Sequence, residues 1–359
     1  MKCLAAIFLV ALSTQAAPLR VGVVGLVHGH VRGFFNRSLG RTDIQVVGIA
    51  EPDAALAAAY TGEYKLSPAL VSPTVDEMLD RAKPEAVVVF TNTFDHRSVV
   101  AACAKRGVHV MMEKPLAVSN EHAEAITQAA RAGKIHVLVN YETTWYRSNA
   151  AAWNIVKDQK AIGDIRKVVI HDGHKGPKEI GVPPEFFGWL TDPKLNGAGA
   201  LFDFGCYGAD LMTWLMDGKR PLSVTAVTQR LKPEIYQRVD DEATVILEYP
   251  RAQAIIQASW NWPFDRKDME IYGQTGTVMT VRGDGLRVRV AGQQAEETRV
   301  AKPLEAPHDD PLSYLTAVVR GTAKADGLSG LPINMVVTEI LDAARQSAAT
   351  GKTVRLKRP

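Results

Sequence analysis

The chain is poor in cysteine. Only Cys3, Cys103 and Cys206 occur in 359 residues, and they stand far apart. A disulfide framework is excluded, and no C-x-x-C pair offers a zinc-binding set. Beyond residue 12 no apolar run reaches membrane-spanning length, so no stable bilayer insertion is expected of the mature chain. Basic blocks and basic–aromatic stripes are lacking and the formal net charge is only +3, which argues against nucleic acid as a partner. There is no acidic tail, internal repeat or low-complexity linker. What is present is the balance of an ordinary globular protein, 46% hydrophobic and 23% charged. A chain this long exceeds the size at which one core keeps growing, so two domains are expected.

The first residues differ from the rest. Lys2 precedes an apolar run over 4–12, followed by Ser13, Thr14, Gln15, Ala16, Ala17 and Pro18. A charged flank, an apolar core and small residues in that order predict a signal peptide over 1–17 and an exported, periplasmic or secreted protein. No arginine pair precedes the run, which favours the general secretion route.

From residue 19 short apolar runs alternate with helical patterns. Strands are predicted over 19–25, 44–50, 86–90, 108–112 and 135–139, with helices over 30–39, 53–60, 74–81, 95–105 and 119–131. Thr74 and Glu77 form a capping box. Gly107 and Gly133 are read as left-handed residues that end the last two helices. This alternation predicts a parallel sheet covered on both faces, a first domain over 18–140. Afterwards strands follow one another over 165–171, 223–228, 243–249, 254–260, 269–272 and 286–290, with helices over 148–157, 208–216, 314–319 and 333–348. That predicts a second α/β domain over 141–359 with a mainly antiparallel sheet.

Two motifs carry chemistry. The first, Gly22-Val23-Val24-Gly25-Leu26-Val27-His28-Gly29-His30, joins the first strand to the first helix. A dinucleotide loop places glycine there for a tight turn, for close approach to the diphosphate and for helix packing, with the helix N-terminus facing the phosphates. Of the three positions of G-x-G-x-x-G only Gly25 holds glycine; Val27 and His30 occupy the others. Such a turn also suits other doubly wound proteins. Glu51, at the end of the second strand, can accept from ribose hydroxyls, or it is a solvated acid in a Glu-Pro-Asp turn. The second motif, Met112-Glu113-Lys114-Pro115-Leu116, follows a parallel strand at its carboxyl end, where side chains face the ligand crevice. A lysine there can hold a substrate hydroxyl, unless Glu113 and Lys114 form a surface ion pair.

Together with Ala50-Glu51-Pro52-Asp53, Thr91-Asn92 with His96, the stretch 107–116, the stretch 196–207, Asp240-Asp241-Glu242-Ala243 and Glu270-Ile271-Tyr272-Gly273, the sequence resembles the Gfo/Idh/MocA oxidoreductase family. The resemblance covers nearly everything after residue 18. It implies an N-terminal Rossmann domain, a C-terminal α/β domain with an open-faced sheet, and NAD at the carboxyl edge of the first sheet. Gly25, Val27, His28, His30, Glu51, Thr91, Asn92, His96, Glu113 and Lys114 would then surround the cofactor. Lys114 would be the catalytic lysine and Asp203 the acid that orients it. Tyr207 stands where many members carry an acid–base histidine; a tyrosine there resembles the glucose–fructose oxidoreductase and dihydrodiol dehydrogenase branches. A nearby lysine is expected to lower the tyrosine pKa. The family also implies association through the second sheet, hence a homo-dimer or tetramer.

Other candidates are weaker. His28 and His30 form an H-x-H pair, but no neighbouring carboxylate or cysteine completes a set, so no metal is expected. His171 and His174, three apart on or after a strand, point to opposite faces. Tyr141, Trp145 and Arg147 follow the last strand of the first domain, where aromatic rings either stack on a sugar or pack in the core. His174, Lys175 and Trp189 are further substrate candidates. The expected activity is hydride transfer between a sugar or polyol carbinol and a tightly held nicotinamide. An NAD-dependent glycosidase or lyase working through a transient keto-sugar is the alternative. A non-catalytic sugar-binding protein is disfavoured by the intact Lys114, Asp203 and Tyr207 set.

Overall fold

A computed structural model describes residues 17–356, so the leader expected over 1–17 lies, save Ala17, outside the described residues. Strands β1 (Leu19–Val24), β2 (Ile44–Ala50), β3 (Val71–Ser72), β4 (Ala86–Val89), β5 (His109–Glu113) and β6 (Val137–Asn140) form a parallel sheet in the order β3-β2-β1-β4-β5-β6. Successive residues of a strand point to opposite faces, and here both faces are buried. Val21, Val23 and Val88 pack with Phe34 and Phe35 of the helix Val31–Ser38. Val24, Val87 and Val89 pack with Met78 and Leu79 of the helix Val75–Ala82. The strand order reverses between β1 and β4, which opens a crevice at their carboxyl ends.

The second sheet contains β7 (Ile165–Gly173), β8 (Ser223–Gln229), β9 (Glu242–Glu248), β10 (Gln253–Ser259), β11 (Arg266–Gly273), β12 (Gly276–Val281), β13 (Gly285–Val290), β14 (Glu297–Val300) and β15 (Val354–Arg355). Its order is β14-β13-β12-β11-β7-β10-β9-β8-β15. Pairing is antiparallel except between β7 and β10. The helices Gly205–Leu215 and Leu331–Thr350 cover one face. Gly208 lets the first of them approach β10, because a Cβ there would lie 2.4 Å from Ile256. The other face is open, with Val227 63% exposed.

Several expectations are corrected. Gly133 does not end its helix in the left-handed region; Lys134, at φ 52°, does. Gly133 is the last helical residue, and it is needed because a Cβ would meet the Ala104 carbonyl at 2.5 Å. The helix predicted over 148–157 is helical over Arg147–Trp153 and then widens over Asn154–Asp158. β3, β12, β14 and β15 and the helix Pro184–Leu190 were not predicted. The helix Pro311–Val319, placed with the second domain, packs Leu312, Leu315 and Val318 against Leu19, Val21 and Val88 of the first.

Candidate active site

β1, β4 and β5 end together at the crevice. Gly25 turns the chain out of β1 at φ +78°, against the backbone of Phe90 and Thr91 after β4. The turn is fixed by Gly25 N donating to the Ala50 carbonyl (2.8 Å) and His28 N to the Phe90 carbonyl (3.0 Å). Glu51 braces it further: one carboxylate oxygen accepts from Leu26 N (2.8 Å) and the other from Asp53 N (2.9 Å). Glu51 is only 3% exposed, so the solvated-acid reading is excluded. Burial raises its pKa, against the pull of those two amides.

Lys114 follows β5 directly and is buried. Its Nζ donates to Asp203 Oδ1 (2.5 Å) and to the Asp203 carbonyl (2.8 Å). Trp260 Nε1 donates to the other oxygen, Oδ2, at 2.9 Å. Burial disfavours both charges, but each partner overcomes it. The lysine pKa is raised, and the aspartate is held down at about 2. The pair is therefore ionised at neutral pH. Glu113 makes no ion pair with Lys114. It turns the other way, accepting from Asn140 Nδ2 (3.0 Å) and meeting His30 Nδ1 (3.0 Å).

Tyr207 lies in the first turns of the helix Gly205–Leu215, packed on Tyr141 and Phe204. The ammonium groups of Lys114 and Lys267 each stand 5.0 Å from its ring centre, within cation–π range. The expected lowering of its pKa is not found. Burial pushes the phenol well above its usual value, and Glu142 adds to this, while the Lys114 charge is matched by Asp203. Tyr207 is a protonated phenol in this environment.

Not every candidate reaches the site. Tyr141 is fully buried and its hydroxyl donates to Asn334 Oδ1 (2.9 Å), so core packing prevails over sugar stacking. Arg147 is engaged by Asp284 at 2.8 Å. Trp145 donates from Nε1 to Asn140 Oδ1 (2.9 Å) and acts through Asn140 on Glu113. Trp189 donates from Nε1 to the Val27 carbonyl (3.2 Å) and lies beside His28, so it clamps the nucleotide loop from the second domain. His96 is buried beneath the motif, its Nδ1 on the Leu116 carbonyl (3.2 Å), with a pKa lowered to about 4 by burial. Thr91 and Asn92 lie at the crevice, where Asn92 caps the next turn through Asp95 N (3.0 Å). His174 packs edge-on against Phe204 near Asp203, whereas His171 faces Asp268 at 3.4 Å, so the two histidines do part company. Lys175 is exposed. His28 and His30 are joined in space by Glu113, so the expectation that no carboxylate completes that set is overturned.

Four residues at the site escaped sequence reasoning. Trp260 ends β10's run and reaches Asp203. Lys267 on β11 is ion-paired with Glu142, whose Oε1 accepts from the Tyr146 hydroxyl (2.6 Å). Asp172 on β7 is the direct cross-strand partner of Lys267, fully buried, and burial raises its pKa strongly. Lys267 lay outside the strand read over 269–272, which in fact begins at Arg266.

Comparison with known proteins agrees with this geometry. The oxidoreductase family with NAD-binding Rossmann fold matches residues 19–141, and the GFO/IDH/MocA C-terminal domain matches residues 151–279. The chain belongs to the Gfo/Idh/MocA family. Trans-1,2-dihydrobenzene-1,2-diol dehydrogenase of Xenopus laevis is 29% identical over 228 residues, which span 62% of this chain and 63% of that relative. Two solved structures share the fold. Aldose-aldose oxidoreductase from Caulobacter crescentus, complexed with glycerol, is 22% identical with a TM-score of 0.80 over 94% of this chain and 100% of its own. An inositol dehydrogenase homolog from Azotobacter vinelandii, complexed with NAD+, is 20% identical with a TM-score of 0.81 over 95% and 98%. The first domain of this family member is thus an NAD-binding Rossmann domain. The turn at Gly25, the helix N-terminus after His30 and the crevice between β1 and β4 fit a dinucleotide.

Proposed function

We propose that the protein transfers hydride between a carbinol of a sugar or polyol and a bound NAD. The observation that carries this reading is the Lys114–Asp203 pair, sealed by Trp260 at the carboxyl end of β5 with Tyr207 alongside. Bound NAD supplies the hydride acceptor or donor. The chain's own residues handle the oxygen and its proton. Lys114, kept charged by Asp203, can donate to the carbinol or carbonyl oxygen. Tyr207 can donate its phenolic proton to that oxygen in the reductive direction. In the oxidative direction Tyr207 would first have to give its phenolic proton to solvent, and the phenolate would then take the carbinol proton as hydride leaves for the bound NAD. Dihydrodiol, aldose and inositol enzymes among the relatives and fold neighbours support a polyhydroxylated substrate.

The reading includes export, on the strength of the leader-like residues 1–17. Outside the cytoplasm the cofactor would have to be held between turnovers and regenerated within each cycle. Export is therefore what favours the second reading, a redox-neutral glycosidase or lyase that oxidises a ring hydroxyl, eliminates the aglycone and reduces the product again. It further includes a homo-dimer or tetramer built on the open face of the second sheet, where Val227 and Ile246 are exposed. Single-turnover mixing of NAD-loaded protein with sugars, polyols and aryl glycosides decides the chemistry. Net NADH formation supports the dehydrogenase. Transient NADH with aglycone release supports the glycosidase. No NADH with any substrate overturns both.

A further inference from the structure

His28, His30 and Glu113 come from two separate segments, the loop after β1 and the end of β5, and meet at the crevice. One donor atom from each lies within 4.8 Å of the others. Each is held in place. Glu113 is anchored by Asn140 Nδ2 (3.0 Å), which Trp145 fixes in turn through Asn140 Oδ1 (2.9 Å). His28 is packed between Phe186 and Trp189, with ring centres 4.6 and 5.5 Å away. His30 lies edge-on to His28 and has its Nδ1 3.0 Å from Glu113 Oε2. Outer partners of this kind orient ligands in metal sites. The donors are two imidazoles and one carboxylate, the set that suits zinc and its neighbours rather than magnesium or calcium, which prefer oxygen alone. His30 is 45% exposed, so the site opens to solvent and leaves room for a fourth ligand.

We propose that His28, His30 and Glu113 form a binding site for a Zn2+-class ion, and that this ion and the dinucleotide exclude one another. Binding replaces the His30–Glu113 contact with two bonds to the ion, and the open position takes water. Burial holds the His28 pKa well below its usual value, which favours the uncharged ring, and its Nδ1 accepts from His30 N (3.2 Å), a contact that an ion at Nδ1 would replace. The exclusion rests on the NAD reading. The two histidines lie at the start of the helix Val31–Ser38, where the diphosphate belongs. Glu113 lies beside Lys114, where the reacting end of the cofactor belongs. An ion drawing the imidazoles onto Glu113 fills the passage between them.

Calorimetry of the nucleotide-free full chain with ZnCl2, and separately with MgCl2, tests the site. The expected result is one Zn2+ per chain at micromolar Kd or tighter, with Mg2+ at least a hundredfold weaker. His30→Ala and Glu113→Gln should each weaken Zn2+ at least tenfold. His136→Ala, in the stacked His109–His136 pair elsewhere on the surface, should leave it unchanged. His30 is exposed, so its variant keeps the test valid if Glu113→Gln folds poorly. Zn2+ binding that survives His30→Ala, or Mg2+ binding of equal strength, overturns the site. A second titration with saturating NAD separates the two claims. If NAD binds and Zn2+ affinity falls at least tenfold, the exclusion stands. If NAD binds and Zn2+ affinity is unchanged, the exclusion is overturned. If NAD fails to bind, the cofactor reading fails and the exclusion with it, while the metal site is judged on its variants.

Discussion

Lys114 Nζ lies 2.5 Å from Asp203 Oδ1 and 2.8 Å from the carbonyl of the same residue, so one side chain of the first domain is bound twice by a single residue of the second. Both are buried. Removing one partner of a buried ion pair leaves the other charge uncompensated, at about 3–5 kcal/mol. Lys114→Ala is therefore expected to lower stability by roughly that amount and turnover by about 10²–10⁴-fold. Denaturant unfolding and single-turnover NADH formation measure the two effects. A variant as stable as the wild type would show that the pair is solvated.

Tyr207→Phe separates chemistry from packing. It removes one hydroxyl and keeps the ring on Tyr141 and Phe204. Stability should change by about 1 kcal/mol or less, while turnover falls about 10²–10⁴-fold. Near-normal hydride transfer would assign the proton to another group, and His174, beside Phe204, would be tested next.

The same pair fixes a pH window. The Asp203 pKa is depressed to about 2, against an unfolded value of about 3.9. Its stabilisation is present above the unfolded value and lost as pH falls through the folded one. The Lys114 pKa is raised, so its stabilisation is present below about 10.4 and lost as pH rises through the folded value. The contribution should be flat between pH 5 and 9 on the scale of these reference values. It should fall away below about pH 4, and Asp203→Asn should abolish the acid limb of that dependence. Chemical denaturation across pH checks it; an unchanged acid limb in the variant would assign that limb to other carboxylates.

Glu51 is expected to select NAD(H) over NADP(H). A 2′-phosphate about 4 Å from its carboxylate would be repelled by about 4 kcal/mol at an effective dielectric of ~20. Screening reduces this to about 2 kcal/mol, or ~30-fold in affinity. Glu51→Gln should narrow the preference and also cost about 1–3 kcal/mol of stability, because one of the amides of Leu26 and Asp53 loses its acceptor. Titration of both cofactors is the measurement. Equal affinities for the wild type would leave Glu51 a purely structural brace.

The sheet of the first domain and the helices on its two faces were legible because their signals are local. Thr74 does cap its helix, accepting from Glu77 N at 3.2 Å, and the buried apolar runs of β1, β4 and β5 are continuous in sequence. Lys114 and Asp203 were legible only through motif resemblance, since no spacing joins residues so far apart. Gly133 shows the limit of a local rule. Its glycine answers the close approach of another helix, which no turn signal encodes. Trp260 was hidden for a similar reason: a strand's alternation gives the face of a side chain, not what lies opposite it. Lys267 was missed because its strand starts at Arg266, in a charged stretch ahead of the apolar run read as the strand. Edge strands such as Glu297–Val300 carry charged and exposed residues, so they resemble loops.

The helix Pro311–Val319 has a temporal consequence. It covers Leu19, Val21 and Val88, so a segment synthesised long after β1 completes the core that β1 begins. A nascent chain halted after Asn140 would hold all six strands of the parallel sheet, with one face still lacking part of its cover. Covering that face requires contacts between segments far apart in sequence, which are slow to form.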